Sequence, residues 1–105
     1  MDQTSINELI LFLKKSLEEN GINVESIVLF GSALSGYMDN DSDIDLAIIS
    51  SDFENLDIFE RAKLTMIPET LTQKKFKIPM DILNISNEEF KNSNFKEFYK
   101  HKVVA

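Results

Sequence analysis

The run Ile27-Val28-Leu29-Phe30-Gly31-Ser32, followed downstream by Ser42-Asp43-Ile44-Asp45-Leu46, decides the fold of this chain. The first four residues are apolar and mostly branched, which is typical of a strand buried on both faces. A second strand is expected from Ile44 to Ile49. Between them, Gly31 lets backbone amides approach a phosphate, and Ser32 offers a hydroxyl where a helix would begin. The pair predicts a phosphate-binding turn, although the same two residues also form plain turns.

Two acidic side chains lie at the start of the second predicted strand. Asp43 and Asp45 are two residues apart, so they would share one strand face with α-carbons about 6.6 Å apart. Carboxylates are the hard ligands that magnesium prefers, and a pair of divalent ions can neutralise a leaving pyrophosphate. The alternative is that both acids face water while Ile44 and Leu46 enter the core. Because the acids follow Gly31-Ser32, we favour metal-dependent phosphoryl or nucleotidyl transfer.

A third acidic residue lies within the last predicted strand, Ile78 to Ile85. Strand statistics disfavour aspartate at Asp81, between apolar neighbours, and a role as third metal ligand would explain it. The alternative is an exposed position on an edge strand. Pro79 is expected near the start of this strand or on a sheet edge.

Helical patterns surround the predicted strands. Ser5 and Glu8 have the spacing of a capping box, apolar residues then recur at helical intervals, and Asn20-Gly21 supplies a stop. A second helix is expected from Asp57 to about Leu71, with Pro68 as a kink or a break.

The carboxyl-terminal part is expected to close the domain. Ser86 and Glu89 predict the cap of a closing helical region. Its apolar stripe would consist of Phe95, Phe98 and Tyr99, and His101 with its neighbouring lysines is expected to be a solvated tail. The whole chain, residues 1–105, is therefore predicted to be one α/β domain. Its small mixed sheet would have about three to four strands, flanked by helices.

The composition limits the functions available. A chain of 105 residues has room for a single core. Its 18 acidic and 11 basic side chains give a formal charge of -7, which repels a phosphate backbone and argues against a long nucleic-acid substrate. The absence of cysteine excludes disulfides and thiolate sites. The acidic amino terminus and the lack of a long apolar run predict a cytoplasmic protein with no membrane association.

The motif Gly31-Ser32-Ala33-Leu34-Ser35-Gly36, the run Ser42-Asp43-Ile44-Asp45-Leu46 and Asp81 together resemble the minimal nucleotidyltransferases of the DNA polymerase beta superfamily. The likeness covers roughly residues 24 to 85 and implies the palm-like fold of that superfamily. It implies that Asp43 and Asp45 bind two magnesium ions and that Asp81 completes the catalytic site as ligand or base. The implied nucleotide-binding residues are Gly31, Ser32, Gly36 and Ser42.

The resemblance also implies a reaction and a partner. Members of this family transfer a nucleoside monophosphate from a nucleoside triphosphate to an acceptor hydroxyl and release pyrophosphate. Many small members are antitoxins of a helical HEPN-domain toxin, and some adenylylate a tyrosine on it. We therefore expect a magnesium-dependent enzyme that transfers AMP from ATP to a HEPN-domain partner, with self-association left open.

One position departs from the family pattern. The family commonly carries arginine before the second glycine of the loop, where this chain has Ser35. Serine cannot imitate the bidentate, permanently charged guanidinium. Either a lysine substitutes from elsewhere, or turnover is impaired. In the second case the chain would be a binding module that neutralises a toxin by contact, through apolar faces such as Phe95, Phe98 and Tyr99.

Overall fold

The computed structural model of the chain describes residues 3–30, 44–92 and 101–103. These residues contain both helices and strands. The helices are α1 (Gln3–Glu19), α2 (Ile58–Phe76) and α3 (Asn87–Asn92). The strands are β1 (Ser26–Phe30), β2 (Ile44–Ile49), β3 (Met80–Ile85) and β4 (His101–Val103), and a short 3₁₀ turn, Ser51–Phe53, follows β2. None of the helices in this part of the chain could cross a membrane.

The strands form one mixed sheet in the order β3-β2-β1-β4. β1 pairs antiparallel with both β2 and β4, whereas β2 and β3 are parallel. Parallel neighbours need a crossover connection, which α2 provides here. The predicted α/β class with a small mixed sheet is confirmed.

The two faces of the sheet are covered differently. On one face, apolar side chains of β1 and β2 pack with the fully buried side of α1 and with Phe53, and Phe76 at the end of α2 adjoins this core. On the other face, Val28, Ala47 and Ile49 form a smaller cluster with Phe30, Ile85 and Phe90. Both helices α1 and α2 therefore serve the first face, while α3 contributes Phe90 to the second.

The start of α1 differs from the prediction, whereas its end agrees. The helix already includes Gln3, so Ser5 lies inside the first turn and is not the cap that its spacing to Glu8 suggested. Ile6, Leu9, Ile10, Leu13 and Leu17 are all buried, and this packing stabilises the helix. The helix ends before Gly21, whose φ of 82° is the left-handed conformation that glycine adopts readily.

Helix α2 is longer than predicted. It begins after Asp57, as expected, and Asp57 forms a reciprocal capping box with Glu60. It then continues through Pro68 to Phe76, so the expected end near Leu71 is wrong. Pro68 removes one backbone donor, but its ring is buried and its carbonyl accepts a 2.8 Å hydrogen bond from the Thr72 hydroxyl. The helix stops at Lys77, which has a φ of 54°.

The third strand and the segment after it test three further predictions. β3 begins at Met80, two residues later than predicted, so Pro79 lies just before the strand and not inside it. Ser86 and Glu89 form the predicted reciprocal cap of α3. The expectation that His101 lies in a solvated tail is wrong, because His101–Val103 forms β4 and pairs with β1. This pairing satisfies backbone groups of β1 that would otherwise form an open sheet edge.

Candidate active site

Two of the three predicted catalytic acids meet in the sheet. Asp45 and Asp81 are the second residues of β2 and β3, and the parallel register pairs them directly. Paired residues of neighbouring strands point to the same face, with the strands about 4.8 Å apart. Asp45 is half-buried, whereas Asp81 is exposed. The structure thus brings together two carboxylates that are far apart in the sequence.

A backbone contact keeps the two acids in register. The Ile44 amide donates a 3.0 Å hydrogen bond to the Pro79 carbonyl. This bond joins the starts of β2 and β3 next to the pair formed by Asp45 and Asp81. A slip of one residue would turn either aspartate to the opposite face. The position of Pro79 therefore helps to define the site.

The predicted phosphate-binding loop connects to the same end of the sheet. Phe30, the last residue of β1, pairs with Asp45, and the chain re-enters the sheet at Ile44. Both described ends of the connection therefore lie beside the acid pair. The other predicted site residues are outside the described part of the chain and their roles stay predictions; they are Gly31, Ser32, Gly36, Ser42 and Asp43.

The acids occupy the less covered face of the sheet. They share that face with Ala47 and Leu83, because residues two apart on a strand point the same way. Phe90 of α3 packs farther along, with Ile49 and Ile85, and Leu83 remains 44% exposed. A large substrate can therefore approach the end of the sheet where Asp81 lies.

The chemistry of the acid pair suits a magnesium ion, although the pair is not a complete site. Two carboxylates on adjacent strands supply the hard oxygen ligands that Mg²⁺ takes up together with substrate phosphates. Within the described ranges no group of three or more histidine, cysteine or acidic residues could hold a metal ion. The predicted trio of ligands also needs Asp43, which lies outside those ranges.

Arg61 has a structural role that sequence reasoning missed. Its guanidinium donates to the backbone carbonyls of Leu56 and Asn84 and forms an ion pair with Glu89. The hydrogen bond from Arg61, helped by the Ser86 amide, holds the pKa of Glu89 below its ordinary value. Asn84 lies three residues beyond Asp81, roughly 10 Å along the strand. The only arginine of the chain is thus committed to joining α2, β3 and α3.

A groove of about 890 Å³ runs between α2 and β3 and was not expected from the sequence. Its walls include Phe59 and Met66 on α2 and Leu83 on β3, but neither of the paired acids. Burial raises the pKa of Glu69 in this groove, against the opposing effect of a hydrogen bond with Thr65. The signal available in the sequence was the set of large apolar side chains on α2, because they do not all fall on one side of the helix.

Comparisons with known proteins agree with this geometry. The family described as Polymerase beta, Nucleotidyltransferase matches residues 12–105. The chain is similar in structure to a candidate nucleotidyltransferase from Sulfolobus solfataricus, with a TM-score of 0.55 and 21% identity over 98% of this chain and 87% of that chain. A crystal structure of another candidate nucleotidyltransferase has a TM-score of 0.55 and 25% identity over 89% of this chain and 94% of that chain. No curated protein sequence matches the chain.

Proposed function

Because the chain belongs to the polymerase beta nucleotidyltransferase family, we propose that it transfers AMP from ATP to a hydroxyl group of a partner protein, in a reaction that depends on Mg²⁺. The observation that carries the proposal is the direct pairing of Asp45 with Asp81 at the open end of the sheet. Two carboxylates side by side on adjacent strands present oxygen ligands to one bound cation.

The paired acids have different proposed roles because they differ in exposure. Asp45, half-buried, would hold a metal ion together with Asp43. Bound Mg²⁺ would supply Lewis-acid stabilisation of the charge on the triphosphate. Asp81, which is exposed, would act as ligand or accept the proton of the attacking hydroxyl. The hydroxyl oxygen bonds to the α-phosphorus, the bond to the bridging oxygen breaks, and pyrophosphate leaves.

The remaining parts of the proposal concern the nucleotide and the acceptor. Gly31, Ser32, Gly36 and Ser42 would hold the triphosphate beside the acid pair. We place the acceptor hydroxyl on a HEPN-domain toxin, with this chain as its cytoplasmic antitoxin. Asp81 is exposed, which leaves it accessible to a hydroxyl group on a second protein.

Transfer of radiolabel from α-labelled ATP tests the proposal. The purified chain is incubated with Mg²⁺ and a HEPN-domain partner, alongside the variants Asp45→Asn and Asp81→Asn. We expect each substitution to lower the rate of label transfer by about 100-fold or more, which is the usual effect of removing one electrostatic contact to a transition state. Glu25→Gln removes an exposed acid before β1 and is the matched control, expected to transfer label normally. Label transfer that survives both aspartate substitutions would contradict the proposed site.

A second candidate function is neutralisation of the toxin by contact, without catalysis. It is favoured by the contacts of Arg61, which binds the Asn84 carbonyl and Glu89. This arginine therefore does not replace the one that the family carries at the position of Ser35. The surface predicted for this contact, Phe95, Phe98 and Tyr99, lies outside the described residues. A stable complex that forms equally well with Asp45→Asn, with no label transferred by any variant, would select this function.

A further inference from the structure

Helix α2 exposes an unusual amount of apolar surface. Large apolar side chains that are well exposed occur mainly on this helix within the described ranges, and they are Ile58, Phe59, Leu64, Met66, Ile67 and Leu71. Scattered exposed residues need no explanation, but a contiguous patch indicates an interaction surface. The patch lies on α2, the helix that connects the parallel strands β2 and β3, so a rigid element presents it.

Part of this patch forms a regular row along the helix. Glu60, Leu64, Ile67, Leu71 and Lys74 follow the spacing i, i+4, i+7, i+11, i+14, which is the seam spacing of packed helices, and we call them the α2 stripe. Its three apolar members are 40%, 58% and 47% exposed, and both charged members are exposed. The buried side of α2 carries Thr65, Pro68 and Thr72 instead.

The α2 stripe is complementary to itself. Ile67 lies midway between Glu60 and Lys74, and the two leucines flank it. Two such helices placed antiparallel about Ile67 would bring Glu60 of each copy beside Lys74 of the other, with apolar residues between. A parallel arrangement would instead place like charges together, which is unfavourable. The pattern of charge therefore specifies both the partner and its direction.

We propose that the α2 stripe is the contact between two copies of this chain, packed as antiparallel helices about a twofold axis through Ile67. Such an isologous interface buries the same patch on each copy. The chain carries a net charge of -7, so contact through an unpatterned surface would be repulsive, whereas this stripe pairs opposite charges at both ends.

The proposed interface is independent of the proposed function. Helices α1 and α2 serve one face of the sheet, and Asp45 and Asp81 lie on the other. A twofold contact through α2 leaves the acid pair open in each copy. Variants of the α2 stripe should therefore change assembly without changing a site residue.

Sedimentation equilibrium of the purified chain, up to about 0.1 mM, tests the interface. We expect a monomer–dimer equilibrium for the wild type. Ile67→Asp, at the centre of the stripe, should raise the dissociation constant by about 30-fold or more, as for loss of an interface hot spot. Leu11→Asp is the matched control, because Leu11 is 63% exposed but lies on α1. It should leave the dissociation constant unchanged, and circular dichroism shows that each variant is folded.

Charge exchange tests the direction of packing. Glu60→Lys and Lys74→Glu should each weaken the dimer by about 3-fold or more, and the double variant should recover most of the loss. Glu60 also completes the cap of α2, so its substitution weakens the helix as well as the dimer contact. Urea unfolding of each variant measures the loss of helix stability separately. A wild type that stays monomeric at all concentrations overturns the proposal, even if a different helical protein binds α2. A double variant no better than the single ones also overturns it.

Discussion

The most informative residue contact is the pairing of Asp45 with Asp81. Like charges opposite each other on adjacent strands destabilise a sheet by about 0.2–1 kcal/mol. A cation bound between the two carboxylates would reduce this repulsion. Stability and metal binding are therefore linked at these two residues.

Asp81→Asn should separate the two effects. Without metal, the substitution should raise the free energy of unfolding by about 0.2–1 kcal/mol, because it removes one of two like charges. Adding Mg²⁺ should raise the Tm of the wild type more than that of the variant. Thermal unfolding with and without Mg²⁺ measures both. An equal Mg²⁺ effect on the two proteins would argue against metal binding by Asp81.

The Arg61–Glu89 ion pair leads to a prediction on pH. The pKa of Glu89 is lowered from its ordinary value of 4.5 in the folded chain, so the stabilisation from this carboxylate is present above that value and is lost as pH falls below it. Glu89→Gln should therefore be less stable than the wild type at pH 7, and the difference should shrink as pH falls through about 4.5.

Urea unfolding at several pH values measures this difference. The matched control repeats the comparison in an Arg61→Met background, where the guanidinium that lowers the pKa is absent. There the pH dependence of the difference should largely disappear. If it persists unchanged, the Ser86 amide and not Arg61 is the main partner of Glu89.

At the scale of the elements, two of the predicted helix ends are correct and two are not. The cap at Asp57 and the stop at Gly21 are local signals, and both are correct. The continuation of α2 past Pro68 was missed, because the burial of the Pro68 ring against the rest of the fold depends on tertiary packing. Proline predicts a break only when nothing around it compensates.

The two helix stops differ in strain, which can be measured by substitution. Gly21 has a φ of 82°, with no atom within 4 Å of an added Cβ, so Gly21→Ala should lower the free energy of unfolding by conformational strain alone, by about 1 kcal/mol. Lys77 has a φ of 54° without being glycine, so Lys77→Gly should raise the free energy of unfolding by up to about 1 kcal/mol. Urea unfolding of both variants tests the pair, and effects of the same sign would contradict this explanation.

At the scale of the molecule, the packing of α1 on the sheet dominates stability. Leu13 is fully buried in the main core, whereas Leu11, on the same helix, is 63% exposed. Leu13→Ala should lower the free energy of unfolding by about 2–5 kcal/mol, because it leaves a cavity. Leu11→Ala should change it by less than about 0.5 kcal/mol. Comparable losses in urea unfolding would mean that Leu11 is covered, for example by another chain.

Local patterns in the sequence were sufficient for the fold class and for most elements. The apolar run before Gly31, the capping boxes and the helical period each depend on neighbouring residues, so they can be identified without knowing the tertiary structure. The same patterns nominated Asp45 and Asp81 separately, through their unusual positions in strands. Nothing local indicated that β4 would form, because the pairing of His101–Val103 depends on the open edge of a distant strand.

By itself, then, the sequence determined most of the segments that become helices and strands, and it singled out the acidic residues as candidates for a site. Only the tertiary structure decided that Asp45 pairs with Asp81, that Arg61 joins three elements, and that α2 leaves an apolar row uncovered. The physical reason is that strand register and helix docking depend on contacts between residues far apart in the chain. Such contacts are selected by the fit of the whole core, which no local pattern encodes.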